Sequence, residues 1–232
     1  VIAVDVDEIA SSTFRHNFEK LRGEGTQIPT VIGGDEANVE DLDLGTLTTS
    51  AEMDVLIGGP PCQGFSRLGR AKLDSLTDEG FEGDPRNHLY QRFLDAARLW
   101  RPLAVVMENV PGMLSVAGRN VADLVAEELA GCGYNVRYGL LNAVWYGVPQ
   151  FRERLFFIGI REDLRLEPRM PEPTHVATLP AGYSRAADAV ALVLPFMRHH
   201  QVAVRASGSR PAVTVAQALD DLPPLRSHLA AD

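Results

Sequence analysis

Met53-Asp54-Val55-Leu56-Ile57-Gly58-Gly59-Pro60-Pro61-Cys62-Gln63-Gly64-Phe65-Ser66 is the stretch on which the reading of this chain turns. Its apolar start has the composition of a buried strand, and Gly-Gly-Pro-Pro stops that strand abruptly. Cys62 is therefore expected on a stiff turn at the strand's carboxyl edge, where open parallel α/β sheets bind ligands. A thiol presented there can act as a nucleophile once its pKa is lowered or a base takes its proton. For an isolated cysteine the competing reading is a small buried hydrophobe.

Outward from this turn the chain alternates. Residues 1–5 read as a short buried strand, and Asp7 as the N-cap of a helix through Phe18. Residues 30–32 form the next strand, ending at Gly33-Gly34-Asp35. Downstream, Asn87 is placed to cap a helix through Trp100, and residues 103–107 form a strand ending at Glu108-Asn109-Val110-Pro111-Gly112. A helix near 121–129 and strands near 135–142 and 154–160 complete the series. This alternation predicts an α/β fold, a doubly wound, mostly parallel sheet. The polar loop 67–86 is long enough to be functional. After Arg161, Pro168, Pro171, Pro173 and Pro180 mark a linker. A helix at 186–200 and a short one at 214–222, stopped by Pro223-Pro224, follow it. The division is thus a core over 1–165 and a linker region over 166–232.

Bulk properties narrow the function. The 232 residues are 45% hydrophobic and 23% charged, as in an ordinary soluble globular protein. No apolar run approaches the length of a membrane span. The two cysteines, Cys62 and Cys132, suggest a reducing interior compartment. No metal-ligand spacing is present, and His199-His200 read as part of a solvated helix face. A net charge of −9 argues against gripping nucleic acid by the field of the whole molecule. Arg67, Arg70, Lys72, Arg86 and Arg92 nevertheless follow the cysteine turn, either as a solvated loop or as a local guide for a polyanion.

Asp5, Asp35, Cys62 and Glu108 all fall at or just after the ends of expected strands. A parallel sheet puts those ends on one rim, so the side chains are expected to converge on one crevice, although a lone acid there is commonly a helix cap. Asp5 suits a ribose hydroxyl and Asp35 an adenine amino group. Neither a Walker sequence nor G-x-G-x-x-G is present, so an adenosine cofactor without phosphates meets both observations. In Gly147-Val148-Pro149-Gln150-Phe151-Arg152-Glu153-Arg154, alternation puts Arg152 and Arg154 on one face. They could hold a carbonyl, a carboxylate or a phosphate, or could simply be paired surface arginines.

Taken in order, Pro61-Cys62-Gln63, Glu108-Asn109-Val110 and Gln150-x-Arg152-x-Arg154 resemble the signature of the DNA (cytosine-5) methyltransferase family over about residues 1–165. The resemblance implies a Rossmann-like methyltransferase fold and S-adenosylmethionine as methyl donor. It implies that Cys62 adds to cytosine C6, that Glu108 contacts N3, and that Arg154 holds O2 with Arg152 beside it. Since C6 is out of reach in a stacked duplex, the base must be flipped out of double-stranded DNA. The loop 67–86 corresponds to the family's mobile loop. For the cofactor, the matching positions are Asp5, Val6, Asp35, Glu36, Gly59, Pro61 and Leu89.

The same resemblance places the family's first strand and its Phe-x-Gly-x-Gly turn before Val1, and the target-recognition region after Asp232. The missing strand would run between residues 1–5 and 53–57, so a complementing segment or chain is expected to be needed for cofactor binding. The implied setting is the interior of a prokaryotic cell, without membrane contact, in restriction–modification or another methylation pathway. The alternatives are a tRNA-directed cytosine-5 methyltransferase and a catalytically silent methyltransferase-like DNA-binding subunit.

Overall fold

In the computed structural model, residues 1–20, 30–47, 53–61, 89–114, 120–178, 201–202 and 210–222 are described. Cys62, the loop 67–86, Asn87, the helix expected at 186–200 and Pro223-Pro224 lie outside them. The chain forms two compact units, Val1–Val105 and Val106–Asp232.

In the first unit, β1 (Ile2–Asp5) and β2 (Thr30–Gly33) pair in parallel, with Asp5 opposite Gly33. The helix α1 (Glu8–Lys20) joins them. Asp7 caps it as expected, since its Oδ1 accepts from the backbone N–H groups of Ile9 and Ala10 at 2.8 and 2.9 Å. Ser11, buried on α1, donates its hydroxyl to the Asp5 carbonyl at 3.0 Å. A Cβ on Gly33 would come within 2.5 Å of the Ser11 Cβ, so the helix and β2 approach closely because that residue is glycine. The third strand, β3 (Val55–Gly58), and α2 (Leu89–Trp100) follow. Phe93 and Leu94 of α2 are buried, and a Cβ on Gly58 would meet the Phe93 ring at 2.6 Å. Arg92 donates to the carbonyls of Val39 and Leu42, and the Trp100 indole to that of Leu44. Arg92 thus clasps its own unit.

One expectation is corrected here. β1 and β3 do not read out as buried strands: Ile2 and Val4 are 40% and 38% exposed, and Val55 and Ile57 are 50% and 73% exposed. Among the described residues each strand has a hydrogen-bonded partner on one side only. Apolar composition alone cannot bury a strand that lacks a second neighbour.

The second unit carries most of β4 (Ala104–Asn109), then α3 (Val121–Gly131), β5 (Tyr134–Asn142) and β6 (Glu153–Arg161). A two-residue strand, β7 (His175–Val176), comes next, followed by β8 (Gln201–Val202) and β9 (Arg210–Pro211). The order β4-β6-β5-β8 makes β6 the neighbour of β4. β5 and β6 are antiparallel over their full length, from Tyr134 opposite Arg161 to Asn142 opposite Glu153. β8 joins β5 in parallel, and β7 pairs in parallel with β9. The period-two pattern of strands shows in burial: Met107, Leu155 and Phe157 are fully buried, whereas Val106, Glu108, Arg154, Phe156 and Ile158 are partly open. Tyr138 and Phe157, opposite one another, stack with centroids 5.3 Å apart.

Asn120 starts α3. Its Oδ1 accepts from the N–H groups of Ala122 and Asp123, and its amide donates to the Asp123 carboxylate and the Tyr138 hydroxyl, both at 3.0 Å. Tyr138 in turn donates to Asp123 at 2.8 Å. These three buried polar groups satisfy one another, as burial demands. The expected short helix near the carboxyl end is α4 (Val215–Ala218), opened by a reciprocal Thr214–Gln217 capping box.

Candidate active site

Glu108 is at the carboxyl end of β4, and Arg154 is near the start of β6. Because those strands are neighbours, Arg154 Nε reaches Glu108 Oε1 at 2.8 Å. The side chains are 23% and 38% exposed, so the ion pair is neither buried nor fully solvated. A second guanidinium nitrogen of Arg154 donates to its neighbour's carbonyl, on Glu153, at 2.7 Å. This fixes the fork while leaving carboxylate and guanidinium edges open to a ligand.

The pair sits in a cavity of about 520 Å³ within the second unit. Arg152 also lines it, so three of the four expected catalytic residues share one space, and the fourth, Cys62, lies outside the described residues. The rest of the lining is apolar or aromatic, including Val106, Leu141, Phe156 and Ile158. An apolar cavity with a few convergent polar groups is the usual form of a small-molecule site. Arg152 is exposed, and its guanidinium has no partner among the described residues.

Two groups that sequence reasoning passed over shape this cavity. Asn142, buried at the end of β5, accepts from the N–H groups of Val144 and Arg152 at 3.3 and 3.2 Å. It thereby ties the turn at Ala143–Tyr146 to the backbone that presents Arg152. Tyr146, at the end of that turn, and Pro171 both line the cavity. An Asn opening a turn that closes on Gly147 is a legible signal for the first. Nothing local signals the second.

The expected cofactor residues fall in the first unit. The parallel register brings the ends of β1 and β2 to one edge, with Asp5 and Val6 after one strand and Asp35 and Glu36 in the turn Gly34–Ala37 after the other. All four are exposed. Asp5 Oδ1 accepts from the Asp7 N–H at 2.8 Å, and Oδ2 has no partner among the described residues. The Val6 side chain is 59% exposed. A carboxylate oxygen free for a hydroxyl pair beside an open apolar surface fits the adenosine part of S-adenosylmethionine. Gly59 and Pro61 are exposed in the turn after β3, and Leu89 is half-buried at the start of α2. Among the described residues no cluster of His, Cys, Asp and Glu could hold a metal ion, and no helix is long and apolar enough to cross a membrane.

The family model for C-5 cytosine-specific DNA methylases matches residues 1–195. The type II methyltransferase M.AgeI of Thalassovita gelatinovora is 35% identical over 224 residues, which are 95% of this chain and 45% of that protein. M.DdeI of Desulfomicrobium norvegicum, another type II methyltransferase, is 37% identical over 177 residues, covering 75% of this chain and 38% of its own. A crystal structure of a proposed DNA modification methyltransferase encoded within an E. coli prophage superimposes with a TM-score of 0.60 at 26% identity. It covers 97% of this chain and 49% of that one.

The fold is α/β, similar to that of the prophage-encoded protein. The chain belongs to the C-5 cytosine-specific DNA methylase family. It spans less than half the length of the two curated relatives described here.

Proposed function

We propose that this chain is the catalytic part of an enzyme that methylates C5 of cytosine in double-stranded DNA. The observation that carries the proposal is the Glu108–Arg154 ion pair, with Arg152 beside it, in an otherwise apolar cavity. Cytosine offers an acceptor at O2 and a ring nitrogen at N3, and a guanidinium beside a carboxyl group can engage both at once. The cavity cannot receive a base within a stacked duplex, so the target enters flipped.

In this reading the Cys62 thiolate forms a bond to C6, and the electron pair pushed into the ring makes C5 nucleophilic. Glu108 in its acid form gives a proton to N3 and takes it back when the sulfur leaves, while Arg154 donates to O2, so the charge is stabilised where preorganised donors contribute most. C5 takes the methyl group and gives up its proton to a base. The electrons of that C–H bond expel the Cys62 sulfur from C6, which restores the aromatic ring. S-adenosylmethionine, when bound, supplies an electrophilic methyl group. Asp5 would hold its ribose, Val6 would pack on its adenine, and Asp35 and Glu36 would lie along the same edge; Gly59, Pro61 and Leu89 complete the proposed lining. The functional division is a catalytic and cofactor-binding core over 1–165, followed by the approach to a target-recognition region. The relatives' names favour restriction–modification, inside a prokaryotic cell.

Duplex DNA of random sequence containing 5-fluorocytosine tests this directly. With S-adenosylmethionine the full-length protein should become covalently attached, because fluorine cannot leave as a proton. Cys62→Ser should abolish attachment. Attachment of the serine variant, or methylation of ordinary DNA by a wild type that is never trapped, would overturn the mechanism. Methylation of tRNA rather than DNA would favour the tRNA-directed alternative, and no methylation by the full-length protein the silent one.

A complementing segment belongs to the same proposal. Among the described residues β1 and β3 each have one strand neighbour, and both carry exposed apolar residues, which a further strand would cover. Calorimetry with S-adenosylmethionine should show weak binding to residues 1–232 alone and tight binding once the segment preceding Val1 is supplied. Tight binding by the shorter chain would remove that strand from the account.

A further inference from the structure

Most of the cavity wall comes from β4, β5, β6 and the turn after β5; one part comes from elsewhere. Pro171 lines the cavity from the proline-marked stretch after β6, outside the sheet. Three consecutive residues of the turn hold that stretch. The Tyr146 hydroxyl donates to the Pro171 carbonyl at 2.9 Å. The Trp145 carbonyl accepts from the Thr174 N–H, also at 2.9 Å. Gly147, at φ +86°, leaves room for the His175 ring, whose Cε1 would be 2.8 Å from a Cβ there. β7 then pairs with β9, which anchors the far end of the stretch.

We infer that Tyr146 is a positioning residue: its hydroxyl latches residues 171–176 as one wall of the cavity and so sets the affinity for the base that enters. The inference rests on the reading of this cavity as the base pocket. The ties differ in what they hold. The bonds at Thr174 and β7 continue the attachment that the Tyr146 bond begins, and among the described residues the Tyr146 bond is the one that fixes the residue facing the cavity. Proline suits the accepting position, since its locked φ limits how far its carbonyl can swing. The donor is also secure, because burial and the nearby Glu172 raise the Tyr146 pKa from 10.0 and keep the phenol protonated. Without the hydroxyl, the aromatic ring still fills its place while the wall at Pro171 is free to open.

Tyr146→Phe in the full-length protein isolates the latch. A neutral hydrogen bond of this kind is worth roughly 0.5–1.5 kcal/mol net, or about two- to twelvefold in binding. The KM for a random-sequence duplex library should rise by about that factor with kcat within about twofold, since the Tyr146 hydroxyl is engaged with the Pro171 carbonyl. Amide hydrogen exchange should accelerate at residues 172–176 and stay unchanged in α3. Loss of kcat with unchanged KM would overturn the positioning role, as would unaltered exchange at 172–176. Faster exchange with unchanged KM would show that the wall takes no part in substrate binding. Should the wild type methylate nothing, the function proposed above fails instead. The exchange arm then decides the latch alone: acceleration upholds it and no change overturns it.

Discussion

Glu108→Gln separates the two things this carboxylate can do. The substitution keeps the shape and removes the charge from a 2.8 Å contact with Arg154. Exposed ion pairs contribute about 0.2–1 kcal/mol, and breaking a buried one costs about 3–5 kcal/mol. With side chains 23% and 38% exposed, this pair belongs nearer the lower bound, at about 1 kcal/mol. In a chain of this size such a loss lowers Tm by roughly 2–4 °C. A role at the reacting ring is far larger: positioned proton transfer contributes about 10²–10⁴-fold in rate, or roughly 3–5 kcal/mol of barrier. Glu108→Gln should therefore lower the single-turnover methylation rate at least a hundredfold while denaturation moves by only about 1 kcal/mol. Thermal melting and single-turnover kinetics on the same preparation give both numbers. A rate loss below tenfold with the expected Tm shift would reduce Glu108 to a structural partner of Arg154.

Asn120→Ala removes the α3 cap and leaves Asp123 and Tyr138 short of a partner in a buried place, so urea denaturation should show a loss of about 2–4 kcal/mol. Gly147→Ala forces an L side chain into φ +86° against the His175 ring and should cost about 1–3 kcal/mol, with the stretch at 171–176 loosened in hydrogen exchange. Tyr146 also makes stability depend on pH. Its folded pKa is raised above 10.0, so the unfolded chain loses the proton first and stability falls as pH climbs through that window. Tyr146→Phe should flatten this alkaline limb in denaturation midpoints measured from pH 9 to 11, about the range in which a phenol titrates.

Much of this was legible in the chain, for identifiable reasons. The strands around 30–33, 104–109 and 153–161 are short apolar runs ended by Gly, Asn or charge, and the Asp7 and Thr214 caps are local events within one helical turn. Glu108 and Arg154 could each be singled out, but their bond depends on β4 lying next to β6, which no spacing along the chain dictates. Exposure of β1 and β3 escaped for a related reason. Val and Ile announce a strand, while burial is decided by what lies beside it. The Tyr146 bond reaches a carbonyl 25 residues away in a stretch read only as a linker, so its meaning exists only in three dimensions.

The antiparallel pairing of β5 and β6 bears on how the protein is made. Its strands are joined through residues 143–152, and their nine-residue registers zip outward from Asn142 opposite Glu153. Such pairing closes a small loop, whereas β4 must reach β6 across α3 and β5. During synthesis the hairpin carrying Arg152 and Arg154 can then assemble as an early unit, before the carboxylate of β4 docks against it. Arg154 would meet Glu108 already held in place by the hairpin, so the acid joins a preset partner.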